Sequence, residues 1–229
     1  MKYAPSIAFE EMSGSAKGVT AAKTRGRKYI RNRGYGNGRR TSYQSTVKGI
    51  FKQLAQSWKH LTAVQIAAWN NLANSQGGRS ILGSSVRISG LNLYQRLNFW
   101  VIRCGGTALS NPPALEGCDA PAAATVVLTA DAFTFTLNSI PESVANLKLV
   151  IEASSPKSAG ISNAYDKTTA FADPFSVVST AIDIKSAFDS KNGAPSVGTP
   201  KVFLRYYYVN TSTGEKSADI LMEARLASE

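Results

Sequence analysis

GGTALSNPPALEGCDAP, residues 105–121, is the stretch on which the reading of this chain turns. Pro112, Pro113 and Pro121 remove backbone donors, and Gly105, Gly106 and Gly117 relax the backbone, so neither helix nor strand runs through it. Before it, apolar residues recur at three- and four-residue steps. After it, they alternate every second residue. A change of period across a Gly/Pro-rich joint predicts an α+β multidomain chain. The helical domain then occupies residues 42–104, residues 105–121 are the linker, and residues 122–229 form an all-β domain.

Working back from the joint, Ser89 is placed to cap a helix from Gly90 to Arg103. Leu91, Tyr94, Leu97, Phe99, Trp100 and Val101 cover much of its circumference, so it needs cover on more than one side, from the other helices and from a partner subunit. Residues 77–88 read as a loop with one short strand. Upstream, Tyr43, Val47, Ile50, Phe51, Leu54, Trp58 and Leu61 mark one helical face. Thr62 and Gln65 have the spacing of a capping box that starts a second helix, with Val64, Ala68, Trp69 and Leu72 as its apolar face and Gly77-Gly78 as its stop. Trp58, Leu61, Thr62, Gln65 and Trp69 are therefore expected as the core of a helical hairpin, not as a ligand cage.

Working forward, the candidate strands are Thr125–Ala130, Ala132–Asn138, Leu147–Ala153, Phe175–Ala181, Lys201–Asn210 and Ser217–Arg225. Phe133, Phe135 and Leu137 alternate with polar residues, as a half-buried strand requires. Thr211-Ser212-Thr213-Gly214 is the turn before the last strand. Six or seven short strands at this spacing predict an immunoglobulin- or fibronectin-like sandwich over residues 122–229. Ser154–Pro174 is long and polar for such a domain, and reads as a functional loop or an extra edge strand.

Charge separates the two ends of the chain. Residues 1–110 hold 17 Lys and Arg against two acids, and residues 111–229 hold 9 against 13, so a net charge of +11 divides into +15 and −4. No acid lies between Glu11 and Glu116. The basic residues concentrate in an extended arm, residues 1–41. Lys17, Lys23, Arg25, Arg27, Lys28, Arg31, Arg33, Arg39 and Arg40, interleaved with Tyr29 and Tyr35, are its candidate partner-binding residues. Six glycines and few apolar side chains between Ser13 and Thr41 give no useful strand or helix period, so the arm is expected to take its shape from a large acidic partner. Nucleic acid and an acidic protein surface both fit that description.

Signatures of catalysis are not found. His60 is the single histidine, with no carboxylate nearby in sequence. Cys104 and Cys118 match no metal spacing and are expected as free, partly buried thiols. Asp166, Asp173, Asp183 and Asp189 lack calcium-loop spacing. No apolar run has the length of a membrane span, and the first residues carry no signal-peptide core. The expectation is a protein that is not an enzyme, with no cofactor, no metal, no small-molecule substrate and no membrane partner.

Ser13-Gly14, Arg39-Arg40-Thr41, Trp58-x2-Leu61-Thr62-x2-Gln65-x2-Ala68-Trp69-x3-Ala73 and Ser89-Gly90-Leu91-Asn92-Leu93-Tyr94-x3-Asn98 follow one another in an order that resembles small proteins of tailed phages, the crAss-like group in particular. Where that family has Asn-Pro-Arg-Thr, this chain has Gly38-Arg39-Arg40-Thr41. The resemblance spans roughly residues 13–98 and supplies no catalytic residues. It implies a virion structural protein assembled in the host cytoplasm, with the major capsid protein or other virion proteins as partners. The leading expectation is an auxiliary capsid protein that decorates or cements the shell. The alternatives are a tail, portal-ring or head–tail connector protein, and a nucleic-acid-binding protein that uses the basic arm.

Overall fold

Residues 14–32, expected as an arm without strand pattern, form an antiparallel meander in the computed structural model, which describes residues 12–16, 18–24, 27–32, 41–79, 85–142, 144–177 and 180–227. Its strands are β1 (Gly14–Ala16), β2 (Val19–Thr24) and β3 (Arg27–Asn32), with β2 central. The physical reason is spacing. Two residues separate β1 from β2, and the ends of β2 and β3 pair in register at Thr24 and Arg27, the close spacing of hairpin-linked strands. Gly18 takes φ +87°, which a side chain would resist.

Two capping boxes set the helical hairpin. Thr41 and Gln44 exchange backbone and side-chain hydrogen bonds at the start of α1 (Ser42–Lys59). Thr62 and Gln65 do the same at the start of α2 (Ala63–Ser75), at 3.3 and 2.9 Å. β4 (Gly77–Arg79) and β5 (Ser85–Arg87) then pair as a short ladder, two strands where one was expected. α3 (Gly90–Arg103) follows, capped by the Ser89 hydroxyl accepting from Asn92 N–H at 3.1 Å.

The helices share a core of Leu54, Trp69, Ala73, Leu93, Tyr94 and Leu97, with Trp58 and Leu61 half-buried against it. Tyr94 takes Trp69 edge-on and Trp58 at a tilt, both with ring centroids at 5.3 Å. Val64 does not belong to this core: it is 79% exposed. At 100° per residue it lies about 140° round α2 from Trp69, away from α3.

The second half consists of antiparallel sheets around one core. β6 (Ala124–Leu128), β7 (Phe133–Leu137) and β11 (Ala181–Asp183) form one sheet in the order β11-β7-β6. The other contains β8 (Leu147–Ala153), β9 (Thr169–Ala170), β10 (Phe175–Ser176), β12 (Lys201–Asn210) and β13 (Ile220–Arg225). Its order is β10-β8-β12-β13, with β9 also on β8. Phe133, Phe135 and Leu137 of β7 meet Leu149 and Ile151 of β8 and Val202, Leu204, Tyr206 and Tyr208 of β12. The single strand expected over Phe175–Ala181 is instead two short ones in different sheets, and buried Val177 lies on the passage between them. α4 (Lys185–Asn192), which sequence reasoning missed, drives Phe188 into the core against Phe133.

β12 is buried on both faces. Its inner face joins the core just described. On the outer face, Tyr165 from the 154–168 segment stacks edge-on against Phe203, with ring centroids 5.0 Å apart. Trp100 of α3 stacks against Tyr207 at 5.5 Å. Trp100 and Cys104 thereby close a small cluster with Val150, Tyr207 and Val209. The second cover that α3 needs thus comes from this chain's own sheet.

Candidate interaction surfaces

The basic front is the first surface. Directly opposed residues of a ladder share a face. Lys23 stands opposite Lys28 on one face of the meander, and Arg31 lies opposite Thr20 on the other, beside the Tyr29–Ala22 pair. Lys23 and Arg31 are exposed, and Lys28 and Tyr29 are half-buried. Arg27 pairs in register with Thr24. Lys17, Arg25, Arg33, Tyr35, Arg39 and Arg40 lie outside the described residues. Cationic residues therefore occur on both faces of a small sheet, and like charges set directly across a pair repel. Lys48, Lys52 and Lys59 continue the positive charge along the exposed side of α1, beside exposed Phe51.

A second feature is the seam between the helices and the sheets, which the expected linker lines. Residues 105–121 are held on both sides. Trp69 donates from Nε1 to the Ser110 carbonyl at 2.9 Å. Asn98, fully buried, accepts from Leu109 N–H and donates to Tyr94 O at 3.1 Å. Gly117 N–H donates to Glu215 Oε1 at 3.2 Å. At the same seam a Cβ on Gly214 would sit 2.1 Å from the Leu97 carbonyl oxygen, so the 211–216 turn touches the backbone of α3.

Most of the charges on the sheet's outer face are committed to each other. Tyr207 donates to Glu152 at 2.9 Å, and Thr168 donates to the other carboxylate oxygen at 3.2 Å. Arg205 reaches the Tyr165 carbonyl at 2.7 Å. Lys216 sits 2.6 Å from Asp219 and 3.7 Å over the Tyr207 ring. Burial, and then the neighbouring Glu152, push the Tyr207 phenol far up. Burial pushes the Cys104 thiol up to about 11, and burial followed by Glu215 raises Cys118. Both cysteines are unpaired thiols held in the protonated form at neutral pH. His60 is exposed at the end of α1. Among the described residues no three His, Cys, Asp or Glu side chains gather as a metal site, and no helix is long and apolar enough to cross a membrane.

No protein-family model matches the chain. No curated protein shows a significant match either. Several residues of the Trp58–Ala73 and Ser89–Asn98 motifs have packing or capping roles. Thr62 and Gln65 form a cap, and Trp69, Ala73, Tyr94 and Asn98 are buried. Gly90 lies against Asn70, where a Cβ would be 2.4 Å from Oδ1. From Thr62 to Asn98 the motif residues named here hold the helices together.

Proposed function

We propose that this chain is a virion structural protein of a tailed phage, an auxiliary capsid protein that attaches to acidic surfaces of major capsid subunits through its basic front and acts by holding. The observation that carries this reading is the partition of charge. A first half of +15 precedes a second half of −4, and residues 12–115 hold no acid. Charge asymmetry of that kind steers one end of a molecule to a polyanionic surface. The meander supports it by offering cations on two faces, so that it can lie between two acidic neighbours instead of on one. Repetition over a shell then multiplies weak contacts.

The second half reads as an immunoglobulin- or fibronectin-like sandwich. Supporting this is the division of strands, with β6, β7 and β11 in one sheet and β8, β12 and β13 in the other. With β11 taken as the fifth strand of that fold, the division follows its usual order. β10 departs from that order only by staying beside β8.

Deletion of residues 1–40 tests the reading. The cut spares Thr41, because the α1 cap depends on its hydroxyl. The shortened chain is expected to fold and to be absent from purified particles. Normal incorporation would overturn the role of the front. Copy number separates shell from ring: hundreds per particle for a shell protein, about a dozen for a portal, tail or connector ring. Retention of DNA without capsid protein, with affinity falling steeply as salt rises, would replace the reading by nucleic-acid binding.

A further inference from the structure

The seam between α3 and the 211–216 turn encloses a cleft of about 390 Å³. Its apolar lining is Leu97 and Trp100 of α3 and Leu115 of the 105–121 segment. This size falls at the small end of ligand sites, which run from roughly 300 to 1,000 Å³ and occur preferentially between units of a fold. The room suits one bulky side chain and its adjoining backbone.

The charges around the cleft differ in what they have left to offer. Glu215 spends both carboxylate oxygens, one on Gly117 N–H and one on the Thr213 hydroxyl at 3.1 Å. Lys216 is engaged by Asp219 and the Tyr207 ring. Arg96 is exposed on α3 and lines the same cleft, and among the described residues no acceptor lies within hydrogen-bonding distance of its guanidinium. An unspent planar fork of donors beside an apolar floor is the arrangement that takes a carboxylate next to a large apolar group. Glu116 and Asp119 flank Gly117 in sequence, so a run of phosphates would meet repulsion where a single carboxylate on Arg96 would not.

We propose that this cleft is a docking site for a peptide segment of a partner protein that carries a single carboxylate beside a bulky apolar side chain. A bulky apolar side chain inserts between Leu97, Trp100 and Leu115, and a neighbouring carboxylate pairs with Arg96. The proposal deepens the reading of the basic front by adding a second contact, and rests on that reading only for the partner being a neighbouring protein. Two linked contacts would raise effective concentration, so loss of either weakens attachment more than its own affinity indicates.

The test uses the full chain labelled with 5-fluorotryptophan, whose resonances report separately on Trp58, Trp69 and Trp100. The probe is an acetylated, amidated peptide with one carboxylate, Ser-Gly-Phe-Asp-Ser. The expected result is a saturable shift of the Trp100 signal below about 1 mM peptide, the weak end of specific binding. Trp69, sealed against Ser110, stays in place. Arg96→Glu should weaken binding at least tenfold, and Arg96→Lys less; Arg96 is exposed, so both variants keep the fold. Replacing the peptide's phenylalanine by alanine should abolish the shift. No shift at Trp100, a shift that survives Arg96→Glu, or a stronger response to an oligothymidylate than to the peptide would each overturn the proposal. Particle attachment is measured separately, so failure of the front and failure of the cleft give different results.

Discussion

Gly214 has two reasons to lack a side chain. Its φ of +75° lies where side chains are strained, and the Leu97 carbonyl occupies the space a Cβ would need. Gly214→Ala must push the turn away from α3, with an expected loss of about 1–3 kcal/mol, read as a lower urea midpoint. Unchanged stability would show that turn and helix separate at no cost. Glu223 makes a different kind of contribution. The Arg225 hydrogen bond, and then the charges of Arg225 and Lys201, hold its carboxyl below the ordinary value, against the opposing effect of its partial burial. A depressed acid stabilises the fold above its unfolded pKa, and that contribution disappears as pH falls through the folded value. Stability should therefore drop on acidification below the ordinary carboxylate value of 4.5, and Glu223→Gln should flatten that part of the profile. Urea melts between about pH 6 and about pH 3 would measure it.

At the level of elements, the long periodic segments were readable and the short ones were not. α1, α2 and α3 announce themselves through caps and spaced aromatics. The Thr62 cap makes a direct prediction: Thr62→Ala should cost about 1 kcal/mol in chemical denaturation, while Val64→Ala, on an exposed side chain, should cost little. β8 and β12 were legible to the residue because their apolar runs are bounded by turns. The meander escaped because Val19-Thr20-Ala21-Ala22-Lys23-Thr24 presents no alternating apolar face, in spite of its three β-branched side chains, and because the sequence offers no Asn-Gly or Asp-Gly between the strands. α4 escaped because it has one buried apolar residue, Phe188, and no side-chain cap. The seam cleft escaped altogether. Arg96, Leu115 and Lys216 are far apart in sequence, and only packing brings them to one place. One sign was available: Val202-Phe203-Leu204-Arg205-Tyr206-Tyr207-Tyr208-Val209 is apolar on both alternating faces, and a strand of that kind is covered on both sides.

Across the whole molecule, the covered outer face of β12 joins what the sequence presents as separate domains. Trp100 on Tyr207, Gly214 against Leu97 and the pinned 105–121 segment leave little reason for helices and sheets to unfold apart. Tryptophan fluorescence, which reports the helices, and far-ultraviolet dichroism after subtraction of the helical signal should trace one coincident urea transition. Two separated transitions would mean that the seam contributes little. Order of synthesis gives the same seam another consequence. The helices leave the ribosome about a hundred residues before the strand that shelters Trp100, a delay on the order of 5–20 s at ordinary rates of synthesis. Throughout that interval the nascent chain carries an indole whose shelter, its own tyrosine-rich strand, has not yet been made.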